Sequence, residues 1–148
     1  MKIVGIICEY NPFHLGHGRQ LSWVRQRLEP EDAIVCLMSG NFVQRGAPAI
    51  FDKSLRARAA LASGADLVLE LPVGACLSSA EGFAAGGVEI LAGAGATALC
   101  FGAESPAEDL RETARLLLRR DFSEYLRWNL KGGLSFPAAR AQALARMG

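Results

Sequence analysis

The amino-acid sequence predicts an α/β fold: an open parallel sheet of about four to five strands flanked by helices, followed by an all-helical C-terminal segment. Three observations carry this reading. Short apolar runs alternate with stretches of helical period through the first two thirds of the chain. Turns marked by proline, glycine or acidic residues separate them. Beyond Pro106 only the helical pattern remains.

Lys2 to Cys8 reads as the first strand, and the crowding of apolar residues from Ile3 to Ile7 is that of a strand covered on both faces. Pro12 lacks a backbone N–H, so the strand ends before it. Gly16 to Leu28 is the first helix, with Leu21, Val24 and Leu28 on one stripe and Arg19, Arg25 and Arg27 largely off it. After the polar turn Glu29 to Asp32, Ala33 to Met38 is a second buried strand and Ser39 to Pro48 a loop. Asp52 to Ser63 is helical, with Asp52 as N-cap and Gly64 as its stop. Asp66 to Leu71 is the third strand, with Asp66 a turn residue at its start and Pro72 closing it.

Ser78 or Ser79 caps the next helix, which reaches Leu91, and Ser78-Ser79-Ala80-Glu81 has the pattern of a capping box. Gly82, Gly86 and Gly87 lower the helix propensity there and point to close packing on the sheet. Thr97 to Phe101 is the fourth strand. Helices follow over Ala107 to Arg120, Ser123 to Leu130 and Phe136 to Met147. The chain thus divides into a Rossmann-like domain over residues 1–106 and a helical extension over 107–148.

Open parallel sheets bind ligands beyond the carboxyl ends of their strands. The loops at those ends are Glu9 to His17, Ser39 to Pro48, Pro72 to Ser79 and Gly102 to Pro106, and they hold nearly all of the unusual chemistry. The chain has two histidines, His14 and His17, and both lie in the first of these loops. A helix beginning at Leu15 or Gly16 aims its free amides and the positive end of its dipole at that loop, which favours phosphate. Imidazole donors there can stabilise charge that builds on phosphoryl oxygens. Two solvated loop histidines is the plainer alternative, and the strand–loop–helix context speaks against it. The first strand is followed by neither Gly-x-Gly-x-x-Gly nor a P-loop, so phosphate binding rests on the histidine loop.

Composition excludes several classes. Hydrophobic residues make up 51% and charged ones 21% of the 148 residues, as in a soluble globular protein. No apolar run is long enough to span a bilayer, and the apolar opening is too short for a secretory signal, so a cytoplasmic protein with no membrane partner is expected. The formal net charge of +1 offers no bulk attraction for nucleic acid. Arg111, Arg115, Arg119, Arg120, Arg127, Lys131, Arg140 and Arg146 give the last third a basic lean, which reads as solvated helix faces with i,i+4 pairs. Cys8, Cys36, Cys76 and Cys100 are too widely spaced for a metal site and read as small buried hydrophobes, with a nucleophilic Cys8 the minor alternative.

The loop and first helix resemble the His-x-Gly-His nucleotidyltransferase superfamily. Longer segments narrow the resemblance. Glu9-Tyr10-Asn11-Pro12-Phe13-His14-x-Gly16-His17, Met38-Ser39-Gly40-Asn41-Phe42-Val43-Gln44-Arg45-Gly46, Gly64-Ala65-Asp66-Leu67-Val68-Leu69-Glu70-Leu71-Pro72 and Phe101-Gly102-Ala103-Glu104 look like signatures of the bacterial tRNA-Met cytidine acetate ligase family. Lys131-Gly132-Gly133-Leu134-Ser135-Phe136-Pro137 is similar to a further segment of it, with one extra glycine. Members of that family are longer, and an asparagine and an arginine that contact ATP lie past the last residue here, so the chain reads as a C-terminally truncated member.

The resemblance implies a nucleotidyltransferase-type sheet and a two-step reaction. Acetate attacks the α-phosphate of ATP to give acetyl-adenylate, and the N4 amine of the wobble cytidine of elongator tRNA-Met then takes the acetyl group. His14 and His17 are the implied catalytic residues. ATP binding carries over to Ile7, Cys8, Glu9, Tyr10, Asn11, Pro12, Phe13, His14, Leu15, Gly16, His17, Gly18, Arg19, Gln20 and Gly102, with Gly16 allowing close approach of the nucleotide. Mg²⁺ is expected with the pyrophosphate, although no carboxylate cluster marks protein ligands for it. Ser39, Asn41, Arg45 and Lys53 are substrate candidates, Arg45 and Lys53 for the triphosphate or acetate. Glu104 either orients ribose or caps a helix. A small-molecule adenylyltransferase and a nucleotide-binding fragment without turnover remain as alternatives.

Overall fold

A computed structural model describes residues 1–147, and Gly148, the last residue of the expected helical extension, lies outside the described residues. The chain divides into two compact units, Met1–Phe101 and a second from Gly102 onward. The first unit is built on strands β1 (Ile3–Cys8), β2 (Ala33–Ser39), β3 (Leu67–Leu71) and β4 (Ala98–Leu99). They form one sheet in the order β3-β2-β1-β4, with every pair parallel. This is the expected open parallel sheet, with four strands.

Successive side chains on a strand face opposite ways, and the alternation divides the core in two. On one face Val4, Ile6, Ile34, Cys36 and Met38 pack with Leu21, Val24 and Ala60. Those last three belong to α1 (Leu15–Arg25) and α2 (Lys53–Ala62), the crossovers from β1 to β2 and from β2 to β3. On the other face Val35 and Leu37 pack with Cys76 of α3 (Val73–Cys76) and Leu91 of α4 (Ala80–Gly93). The chain steps β1, β2, β3 in one direction and then returns past β1 to form β4. A right-handed return of this kind must cross the opposite face. The order reverses between β1 and β4, so the crevice at the carboxyl end of β1 is the switch point.

Glycine sets how closely α4 approaches the sheet. A Cβ on Gly87 would lie 2.5 Å from Ile7 Cδ1, and one on Gly5 would lie 2.7 Å from Leu91 Cδ1. The glycines that weaken α4 as an isolated helix are thus what let it lie flat on β1.

Several boundaries differ from the sequence reading. Helix α1 stops at Arg25 rather than Leu28, because Arg27 and Leu28 turn back onto the carbonyls of Val24 and Arg25. The cap of α4 is Ser79, which accepts from Gly82 N at 3.1 Å. With the cap there, Gly82 holds the third helical position and has no side chain to complete a capping box. Meanwhile Ser78 Oγ donates to Ala75 O at 2.7 Å. The single turn α3 was read as loop, since four residues show no period. The ladder of β4 spans two residues rather than five, β4 being an edge strand with β1 as its one neighbour. Strand β3 begins at Leu67 rather than Asp66, which is the bend residue just before it, its carboxylate accepting from Ile34 N at 2.7 Å and pairing with Arg25.

The second unit comprises α5 (Ala107–Leu117), α6 (Arg120–Lys131) and α7 (Phe136–Ala145). Helix α6 starts at Arg120 rather than Ser123, and Asp121 falls in its first turn, where a carboxylate suits the helix dipole. Ala139 and Ala143 are fully buried, and Asn129 Nδ2 donates to Ala139 O at 3.0 Å, holding α6 to α7.

The Gly5–Leu91 contact gives a first prediction. Leu91 is fully buried and has nowhere to move, so Gly5→Ala should destabilise the protein by about 1–3 kcal/mol in urea unfolding, as overpacking does. An unchanged midpoint would show that α4 can lift from the sheet without cost.

Candidate functional site

The site is the loop that leaves β1. Tyr10 takes a left-handed φ of 49°, uncommon for a bulky residue. It turns the chain so that the ring drops into the core, where the hydroxyl lies 3.3 Å from Cys36 Sγ. The Asn11–Pro12 peptide is cis. His14 then becomes the N-cap of α1 and His17 its third residue.

The two histidines form a reciprocal cap. His14 Nδ1 accepts from Gly16 N at 3.1 Å, and His17 Nδ1 accepts from His14 N at 3.2 Å. Their rings stack with centroids 3.6 Å apart and 19° between planes. A ring nitrogen that accepts a hydrogen bond carries no proton, so in both rings the proton sits on Nε2. The cap therefore fixes the tautomer that leaves two N–H donors, side by side, for a ligand. His14 is exposed and His17 half-buried between the rings of Tyr10 and Phe13, at centroid distances of 4.9 and 5.5 Å. Burial, and secondarily the neighbouring His14, hold the His17 pKa below its ordinary value.

Gly16 has a reason within the loop itself. A Cβ there would lie 2.9 Å from His14 Cε1 and 3.0 Å from Nδ1. Only glycine leaves room for the His14 ring to fold back onto the helix terminus. Ile7 and Cys8 end β1, Glu9 to Phe13 make the turn, and Leu15, Gly18, Arg19 and Gln20 lie in the first turns of α1. Burial pushes the Cys8 thiol far above its ordinary pKa, and its Sγ faces Leu37 O at 3.6 Å. Burial and the raised pKa of Cys8 favour its reading as a small buried hydrophobe over that of a nucleophile.

Three side chains bind this loop to the one leaving β2. Glu9 Oε1 accepts from Gln44 N at 2.6 Å, and Asn11 Oδ1 accepts from Ile50 N at 2.7 Å. Arg56 of α2, 1% exposed, donates to Glu9 O (2.6 Å), Ser39 O (3.1 Å), Phe51 O (3.0 Å) and Gly40 O. No carboxylate pairs with it among the described residues. It is a buried cation satisfied by main-chain carbonyls. These roles were not read from the sequence, because Arg56 looks like one more basic residue on a surface helix. Its spacing of four from the buried Ala60 is the one available signal.

The remaining candidates are scattered along the carboxyl edge. Ser39 is fully buried, and its hydroxyl has no partner among the described residues. Asn41 is exposed, with its carbonyl accepting from Ala49 N at 2.9 Å. Arg45 is exposed beside Gly46, whose φ of 80° makes the tip of the loop. Lys53 opens α2 and pairs with Glu70 at 2.7 Å. Gly102 is exposed and belongs to the second unit, as does Glu104, which caps no helix, the N-cap of α5 being Pro106. Among the described residues no group of three or more His, Cys, Asp or Glu could hold a metal ion, so no step is assigned to Mg²⁺.

Comparison with known proteins identifies the family and the fold. The model of the HIGH nucleotidyl transferase family matches residues 1–148. The tRNA(Met) cytidine acetate ligase of Acetivibrio thermocellus is 45% identical over 99% of this chain and 36% of its own length. That of Ligilactobacillus salivarius is 45% identical over 95% of this chain and 37% of its own. Crystal structures of Thermotoga maritima TmcAL, bound with alpha-thio ATP and apo, superpose with TM-scores of 0.90 and 0.91. Both are 45% identical and cover 99% of this chain and 36% of theirs. The chain thus spans about a third of the length of these relatives.

Two outcomes follow from the site's construction. Arg56→Leu, which leaves four carbonyls without their donor, two of them buried, should cost about 3 kcal/mol or more in urea unfolding, with Arg56→Lys losing less. A small loss for the leucine variant would mean that water replaces the guanidinium. The His17 shift has a definite sign. Protonation is harder in the folded than in the unfolded chain, so this group's contribution is intact above pH 6.5 and declines as pH falls from 6.5 through the lower folded value. His17→Asn, whose Oδ1 stands in for Nδ1, should flatten that part of the stability–pH curve relative to wild type.

Proposed function

The chain belongs to the HIGH nucleotidyl transferase family, and we propose that its paired histidines grip ATP for attack of acetate on the α-phosphorus, the first half of a tRNA(Met) cytidine acetate ligase reaction. The observation that carries the proposal is the reciprocal cap, which spends both Nδ1 atoms on the backbone and leaves both Nε2–H groups free of the cap. The ATP analogue on the Thermotoga maritima structure and the names of the relatives support it.

The mechanism follows from that donor pair. ATP lies against the first turn of α1, whose positive dipole end faces the phosphates. An acetate oxygen forms a bond to the α-phosphorus while the bond to the bridging oxygen breaks, and that electron pair leaves with pyrophosphate. Negative charge on the equatorial oxygens grows in the transition state. Two fixed N–H donors meet it at no cost of reorganisation. In the second half the N4 amine of the wobble cytidine of elongator tRNA-Met attacks the acyl carbon, loses a proton and expels AMP. Arg45, exposed and without a carboxylate partner among the described residues, is assigned to the outer phosphates or acetate. Lys53 would have to leave Glu70 to join it. Ser39, Asn41 and Gly102 complete the assigned contacts, and Mg²⁺ enters, if at all, with the triphosphate. With tRNA as its substrate, the protein is proposed to work in the cytoplasm.

Calorimetry with ATP, run beside acetate-dependent exchange of labelled pyrophosphate into ATP, tests the reading. Exchange that needs acetate is the expected result. Exchange driven by a phosphorylated small molecule and blind to acetate would overturn it. ATP binding with no exchange would establish the competing reading, binding without turnover. His17→Asn should lower exchange by about two to three orders of magnitude, the effect of losing one transition-state donor, with little change in melting temperature. His17→Ala should lose the same rate and also about 1 kcal/mol of helix capping. Equal rates in wild type and His17→Asn would remove the histidine from catalysis.

A further inference from the structure

The second unit carries a surface that the nucleotide site does not use. Arg120, Glu124, Arg127, Trp128 and Lys131 share one face of α6, and they line a groove of about 370 Å³. Trp128 and Lys131 also line the neighbouring groove of about 550 Å³ with Leu134 and Gln142. The indole of Trp128, 67% exposed, is thus a wall between two open grooves. The Arg146 guanidinium lies 4.7 Å from the Tyr125 ring and 5.6 Å from that of Trp128. Glu124 answers Arg120 at 3.6 Å, whereas Arg127, Lys131 and Arg146 meet no carboxylate among the described residues.

We infer that this face of α6 binds single-stranded RNA, with a base stacked on Trp128 and the backbone held by Arg127, Lys131 and Arg146. Free cations around an exposed ring recognise a chain that offers phosphates and flat bases together. A solvated helix face needs no large apolar ring at its centre, and a partner recognised by charge alone would leave the indole unused. Unpaired RNA suits the platform better than a duplex, whose bases are already stacked. The expectation of solvated faces with i,i+4 pairs holds for Arg120 and Glu124 but not for the other three cations. The inference rests on the proposed tRNA acceptor only for which RNA is bound in the cell.

The test uses the whole chain in a Trp23→Phe background, so that Trp128 is the sole tryptophan. An unstructured oligoribonucleotide and an elongator tRNA-Met transcript are titrated while Trp128 fluorescence is followed. Quenching by both is expected, with affinity falling as salt rises. Arg127→Gln and Lys131→Gln should each lower the salt slope by about 0.7, the value for one phosphate contact on a single strand. In the Trp23→Phe, Trp128→Ala variant, followed by anisotropy of labelled RNA, affinity should drop about tenfold, with Trp128→Phe recovering part of it. Affinity that ignores all three substitutions, or polyglutamate competing as well as RNA, would overturn the inference. Acetate-dependent exchange should be unaffected by these variants. A wild type that binds RNA but exchanges no pyrophosphate would sink the proposed ligase reaction and leave this surface standing.

Discussion

One buried guanidinium joins the two loops that make the crevice. Arg56 reaches up from α2 and gathers the carbonyls of Glu9, Ser39, Gly40 and Phe51, so the exits of β1 and β2 share a single donor. Carbonyls at the ends of parallel strands have lost their ladder partners and would otherwise face each other without donors. A planar cation with several fixed N–H groups answers them together, where a lysine would present one charge on a flexible stem. Since Glu9 precedes the histidines by a few residues, the position of the cradle is inherited from this contact.

The histidine loop then solves a second problem with the same atoms. A helix start leaves amides unpaired, and a phosphate site needs donors pointing outward. Serine or aspartate at the cap would satisfy the amides and contribute no outward donor. Imidazole has two nitrogens on opposite sides of a rigid ring, so Nδ1 can close the helix while Nε2–H stays free as a donor. Burial, which lowers the His17 pKa, favours its neutral ring, so that donor acts as a directed dipole rather than as free charge. The glycine between the histidines belongs to the same device, because a Cβ at Gly16 would meet the ring of His14.

The two units contribute different surfaces. The first ends its strands in a narrow, hydrogen-bonded rim on which most side chains already have partners, such as Lys53 with Glu70 and Asn11 with Ile50 N. The second is three helices closed by small residues, Ala139 and Ala143, and by one buried amide, Asn129. Its outer face keeps Trp128 and three cations free of carboxylates among the described residues. The chain's near-neutral total charge conceals this, because acids outside that face cancel most of the sum.

Much of this was written in the order of residues. Parallel strands buried on both faces need unbroken apolar runs, and those runs, with Asp52 and Gly64 as stops, located the sheet, the crossovers and the histidine loop. Local signals, however, fade where a partner distant in sequence decides the outcome. Of the two serines expected to cap α4, Ser79 does so, the single turn α3 forms around the buried Cys76, and β4 is short because only β1 stands beside it among the described residues. The role of Arg56 was invisible for the same reason: its four carbonyls come from three separate segments, and only folding brings them within reach. The sequence by itself determined which loop carries the paired histidines, since the residue types and their spacing on a helix start are local. Only the tertiary structure decided the tautomer of the histidines, the burial of Arg56 and the exposure of Trp128, because each depends on atoms that chain order leaves far apart.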